Sequence, residues 1–98
     1  MIPYKLVNGV RVIEWLVTDV QDRPMADAEN LTDARKKAYA LKTAKGNKSV
    51  AYRIYHYGVK VGFVGFDYRA HKMCYSTTKN GSRVNYVLYR NGKLGGRL

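Results

Sequence analysis

Three Asn-Gly pairs, Asn8-Gly9, Asn80-Gly81 and Asn91-Gly92, interrupt stretches in which apolar and polar residues alternate. Asn-Gly between such runs is the strongest short-range signal of a β-hairpin, because the favoured two-residue turn needs positive φ at both central residues. Gly58 marks a fourth turn between two further strand-like runs. The spacing predicts strands near 4–7 and 10–18, 50–57 and 60–68, and 71–78 and 83–90, and leaves room for a short last strand at 93–97.

One segment breaks the period of two. Leu31, Ala34, Ala38 and Leu41 recur at helical spacing over residues 31–45. Asn30 is the expected N-cap, with Asp33 placed to reach back toward its amide, and Gly46 is the expected stop. Lys42 and Lys45 suit the negative end of the helix dipole. Residues 19–29, with Pro24, read as a connecting loop. The order ββ-α-ββ-ββ predicts an α+β fold, a single helix packed on a twisted antiparallel sheet. A chain of 98 residues is expected to form one compact domain over 1–98.

Hairpin geometry divides the strands into faces. A two-residue turn at Asn80-Gly81 sets Lys79 against Ser82, Thr77 against Val84, Tyr75 against Tyr86 and Met73 against Leu88. Met73, Tyr75, Val84, Tyr86 and Leu88 then make the expected core side; Lys72, Cys74, Ser76, Thr78, Arg83, Asn85, Val87 and Tyr89 share the other. Around Gly58 the same rule puts Tyr52, Ile54, His56, Val59, Val61 and Phe63 on one side. Arg53, Tyr55, Tyr57, Lys60, Gly62, Val64, Phe66 and Tyr68 go to the other, with Gly62 leaving room for a ligand backbone. If both hairpins join one sheet, Arg53, Tyr55, Tyr57, Lys60, Lys72, Arg83, Asn85 and Tyr89 merge into one surface.

The net charge is +11, and it is unevenly placed. Residues 1–33 hold Lys5, Arg11 and Arg23 against six acids: Glu14, Asp19, Asp22, Asp27, Glu29 and Asp33. All the other Lys and Arg lie in residues 34–98, against Asp67 alone. Self-repulsion of that size destabilises a compact state unless an anion screens it. Lys and Arg attract phosphates and release counterions, while Tyr rings stack on bases or pack on sugars. The expected role is therefore nucleic-acid binding, to DNA or RNA, through the eight residues of that surface. Arg35, Lys36 and Lys42 on the helix are further phosphate contacts. Arg35 and Lys42 flank the apolar stripe and Lys36 points away from it; a helix of Lys and Ala offers little to read base edges.

Catalysis is not expected. Cleaving nucleic acid usually takes carboxylates to hold metal or move protons, and Asp67 is the only acid in the basic part. His71 and Cys74 have metal-like spacing, but a structural zinc site needs four ligands and only His56 remains. No metal or cofactor is expected. No Gly-Lys-Ser/Thr motif follows the glycines to make a phosphate loop. No apolar run is long enough for a membrane span and no signal peptide is evident, so a cytoplasmic location without membrane partners is expected. The one cysteine, Cys74, excludes an internal disulfide. Two other roles fit the same features. One is an accessory protein of phage or mobile-element type that inhibits or adapts a host protein or nucleoprotein complex through its basic surface, engaging an acidic protein surface. The other is a structural subunit of a larger assembly.

Overall fold

The computed structural model describes residues 3–45 and 50–98. Among them the chain runs β1 (Tyr4–Val7), β2 (Val10–Ile13), β3 (Trp15–Thr18), β4 (Pro24–Ala28), α1 (Leu31–Lys45), β5 (Tyr52–His56), β6 (Val59–Asp67), β7 (Lys72–Lys79), β8 (Ser82–Leu88) and β9 (Leu94–Arg97). β1 and β2 form a two-stranded sheet, and the rest form one antiparallel sheet in the order β4-β3-β5-β6-β7-β8-β9. The class is α+β, with one helix packed on the antiparallel sheet.

The turn residues account for much of this. Asn8 and Gly9 have φ of 52° and 79°, Tyr57 and Gly58 46° and 81°, and Asn80 and Gly81 53° and 80°. Each pair makes the two-residue turn whose twist matches its flanking strands. Asn91-Gly92 departs from this pattern, because only Gly92 is left-handed, at 88°. A Cβ there would collide with the Thr32 carbonyl oxygen, so the turn is pressed against the first turn of α1.

The element order differs from expectation before the helix. The strand expected over 10–18 is broken at Glu14, whose amide donates to the Pro3 carbonyl and whose carbonyl accepts from the Tyr57 amide. β2 stays with β1, while β3 passes into the main sheet. The expected loop over 19–29 contains β4, an edge strand paired with β3. Pro24 conceals it in the sequence, yet a proline is tolerated as the first residue of an edge strand.

The helix begins as expected, with one shift. Asn30 Oδ1 accepts from the Asp33 amide at 2.8 Å, but Asp33 Oδ2 accepts from the amide of Glu29, not that of Asn30. Gly46 and the Lys45 side chain lie outside the described residues. Ala34 and Ala38 are fully buried and let α1 approach closely over β3–β6. Beneath them lie Val17, Tyr52, Ile54 and Val64, all essentially inaccessible. Each buried Val or Ile contributes roughly 1.5–3 kcal/mol.

The β7–β8 register is the expected one, and Tyr75, Val84 and Leu88 are buried on the helix side. The β5–β6 hairpin is different. His56 pairs with Val59 and Tyr55 with Lys60, but Ile54 then pairs with Gly62. Val61 is an extra residue, a bulge that exchanges the faces of β6 beyond it. Gly62 and Val64 therefore join Tyr52 and Ile54 in the core, and Phe63 turns to the open face with Arg53. The room at Gly62 is not for a ligand: a Cβ there would strike the Tyr75 hydroxyl and lie 2.7 Å from the Ser76 carbonyl oxygen.

Candidate functional site

The face of the sheet opposite α1 is ordered by strand register. Arg53 pairs with Phe63, Phe63 with Ser76, and Ser76 with Asn85, giving one row across β5–β8. Beside it, Tyr55 pairs with Lys60 on β5–β6, and Thr78 with Arg83 on β7–β8. The row exists because of the bulge, which brings Phe63 out of the core side.

At one end of the row the cations are open to solvent. The Arg83 guanidinium lies 5.1 Å and the Lys60 ammonium 5.9 Å from the centre of the Phe63 ring. Both side chains are exposed, and such contacts stabilise by only about 0.5–1 kcal/mol, so both groups stay available to an anion. They border a concavity of 410 Å³ whose walls include Phe63, Ser76, Thr77 and Thr78. Ser76 Oγ donates to Asn85 Oδ1 at 2.6 Å, which leaves the Asn85 NH2 group to donate elsewhere.

At the other end an acid from the first third of the chain has folded onto the face. Asp22 Oδ1 accepts from the Tyr55 hydroxyl at 2.7 Å and from Arg53 Nη1 at 3.0 Å. The Tyr55 hydroxyl, then Arg53, hold the Asp22 carboxyl below its ordinary range. Hydrogen bonding to Asp22 correspondingly raises the Tyr55 phenol and the Arg53 guanidinium. Asp19, in the same loop, accepts from the amides of Arg23 and Gln21 and from Arg23 Nε. Part of the acidic first third of the chain thus lies on the same face as the cations.

The remaining sequence-derived positions are dispersed. Tyr57 sits in its turn with the Lys5 ammonium 4.6 Å over its ring. Lys72 lies at the far end of β7 and Tyr89 just past the end of β8, six residues or about 20 Å from Thr78 and Arg83. Tyr89 is exposed and stands against Gly95. Lys36 is exposed on the helix layer.

Arg35 and Lys42 require a correction, because both are buried, at 9% and 3% exposure. Arg35 Nε donates to the Gly92 carbonyl at 2.8 Å, and its guanidinium lies 5.2 Å from the Tyr75 ring centre. Burial lowers both Arg35 and Lys42 from their ordinary values. Neither presents a cation at the surface. On the wheel they flank the stripe; in the fold the β8–β9 turn and Tyr75 lie against Arg35.

Phe63 and Asp22 belong to the site and were not expected on that face; Ser76 and Thr78 were expected on it but not among its binding residues. A glycine inside a strand signals a bulge as well as a ligand clearance, so Gly62 carried the clue to Phe63. Nothing local announces that Asp22 will meet residues more than thirty positions away. His56 is half-buried, stacked on Trp15 at 4.1 Å with its Nε2 3.3 Å from Glu14. Cys74 is buried, and burial raises its thiol, while His71 is exposed in a turn. Among the described residues no three His, Cys, Asp or Glu side chains converge as a metal site, and no helix is long and apolar enough to cross a membrane. The open face offers cations, hydroxyls, an amide and an aromatic ring, which suits binding an extended anion. Comparison with known proteins finds no matching family model, no matching curated protein and no matching solved structure.

Proposed function

We propose that this protein binds nucleic acid, DNA or RNA, without catalysis, on the open face of its main sheet. Lys60 and Arg83 contact phosphates, the rings of Phe63 and Tyr55 take bases or sugars, and Asn85 and Thr78 supply polar contacts at the rim. The observation that carries the reading is the placement of two exposed cations over one aromatic ring at a concavity bordered by the exposed Thr78. Phosphate attraction supplies affinity and salt dependence, while an aromatic ring stacks on any base, so sequence selectivity is expected to be low. Titration with labelled single- and double-stranded DNA and RNA at several salt concentrations tests it. Each phosphate contacted adds about −0.9 to the log–log salt slope on duplex DNA, so Lys60 and Arg83 together give a slope of about −2. Absence of binding to all four at low salt overturns it.

A second reading, an accessory protein directed at another protein or a nucleoprotein complex, is favoured by a different observation. The β1–β2 hairpin exposes Leu6, Val7 and Val10, at 66, 42 and 63%. A stoichiometric protein partner that survives nuclease treatment and is lost on Leu6→Ser/Val10→Ser would support it.

A further inference from the structure

We propose that Arg53 and Tyr55 form a second phosphate-binding position on the open face, occupied in the free protein by the carboxylate of Asp22 in place of a phosphate. The proposal rests on the reading of that face as a nucleic-acid platform.

The geometry is that of an anion site. A guanidinium N–H and a phenol O–H converge on one oxygen, Asp22 Oδ1, at 3.0 and 2.7 Å. A phosphodiester oxygen accepts the same pair of charge-assisted hydrogen bonds. Arg53 also belongs to the row that contains Phe63, Ser76 and Asn85. It stands three strand spacings, about 14 Å, from β8, which carries Arg83. A strand crossing the sheet from the Lys60–Arg83 concavity therefore arrives at Arg53. Beyond the carboxylate lies a mainly apolar cleft of 530 Å³, walled by Val12, Ile13, Leu16 and Tyr55 with Arg11 and Asp27, beside the charged position for a sugar or base.

The two aspartates of the loop separate a displaceable carboxylate from a fixed one. Asp19 has an 11% exposed side chain and spends both oxygens on the loop itself, holding the Gln21 and Arg23 amides and the Arg23 guanidinium. The Asp22 side chain is 63% exposed, and its carboxylate accepts from Arg53 and Tyr55 of the sheet. An ion pair so open to water is weak and exchangeable. Asp19 shapes the loop; Asp22 closes the position.

Asp22 has φ 61°, which Asn and Gly both accommodate, so Asp22→Asn and Asp22→Gly alter the charge while keeping the turn. Each variant, checked for an unchanged melting temperature and circular dichroism, is titrated with a labelled 20-nucleotide single-stranded DNA. Binding tightens about three- to tenfold, and the salt slope steepens by roughly 0.7, the share of one additional phosphate on a single strand. Arg53→Ala costs little in the wild type and abolishes the gain in the Asp22→Asn background. Where the wild type binds the oligonucleotide, folded Asp22 variants that bind it no more tightly, or a gain that survives Arg53→Ala, overturn the assignment. A second arm separates this outcome from failure of the nucleic-acid reading itself. Inorganic tripolyphosphate is added while the amide signals of residues 53 and 55 are followed by NMR. A larger shift in Asp22→Asn than in the wild type upholds the phosphate position even if the oligonucleotide is not bound; equal shifts, or none in either protein, overturn it.

Discussion

Arg35 and Arg83 make the same contact with opposite consequences. Each lays its guanidinium over an aromatic ring, 5.2 Å from Tyr75 in one case and 5.1 Å from Phe63 in the other. Arg35 is buried between α1 and the β8–β9 turn, with Nε committed to the Gly92 carbonyl. Arg83 is exposed at the rim of a concavity beside a second cation. Net charge counts both alike. Burial and the remaining hydrogen bonds decide which one holds the fold together and which one stays open to solvent.

Substitution sharpens the contrast, and the buried member carries the larger effect. Arg35→Ala removes a hydrogen bond from a charged donor and leaves the Gly92 carbonyl short of a partner; it is expected to destabilise by roughly 2–3 kcal/mol. Gly92→Ala attacks the same seam from the other side. It strains a left-handed residue and drives a Cβ into the Thr32 carbonyl, for roughly 2–4 kcal/mol. Urea denaturation measures both, and a loss below about 0.5 kcal/mol for either would erase the distinction from Arg83. Arg83→Ala, a surface change, should stay within about 0.5 kcal/mol of the wild type.

Phe63 and Tyr75 extend the comparison from the cations to their rings. Tyr75 is buried, with its hydroxyl on the Val61 carbonyl, and burial raises its phenol from the ordinary value. Phe63 lies in the open concavity, where a stacked base is worth about 1–3 kcal/mol. Phe63→Leu keeps an apolar side chain and is expected to weaken single-stranded DNA several-fold while leaving duplex DNA little changed. Equal losses on both would show that the ring does not stack.

The smallest effect concerns pH. Asp19, held by the amide and side chain of Arg23, and Asp22, held by Tyr55 and Arg53, both titrate below the ordinary aspartate value of 3.8 in the folded state. A depressed folded pKa contributes stability that is fully present above the unfolded value and is lost as pH falls through the folded one. Denaturation midpoints of the wild type should therefore fall below about pH 4, and Asp19→Asn should reduce that dependence. A midpoint that falls equally in Asp19→Asn would remove Asp19 from the account.

The two hairpins after the helix show how much of this was legible. In β7–β8 the Asn80-Gly81 turn and an uninterrupted alternation set the register, so Tyr75, Val84 and Leu88 could be placed inside and Arg83 and Asn85 outside. In β5–β6 Gly58 marked the turn, but one extra residue at Val61 reversed every later side chain and concealed Phe63. A period of two has no tolerance for a single insertion. The helix was legible from its apolar spacing and Asn30; the fate of Arg35 and Lys42 was not, since their burial comes from chain segments that a helical wheel omits. The Asp22 contact is tertiary and left no local trace. Charge asymmetry named the chemistry of the face; only the fold distributes it.

The central claim, that exposed cations around Phe63 bind phosphates, is tested most directly by the salt dependence of single-stranded DNA binding in the wild type and in Lys60→Ala/Arg83→Ala. Losing two phosphate contacts should weaken binding by about an order of magnitude and flatten the log–log slope by roughly 1.4, with stability within about 0.5 kcal/mol of the wild type. An unchanged slope in the double variant, or no binding by the wild type at low salt, would contradict it.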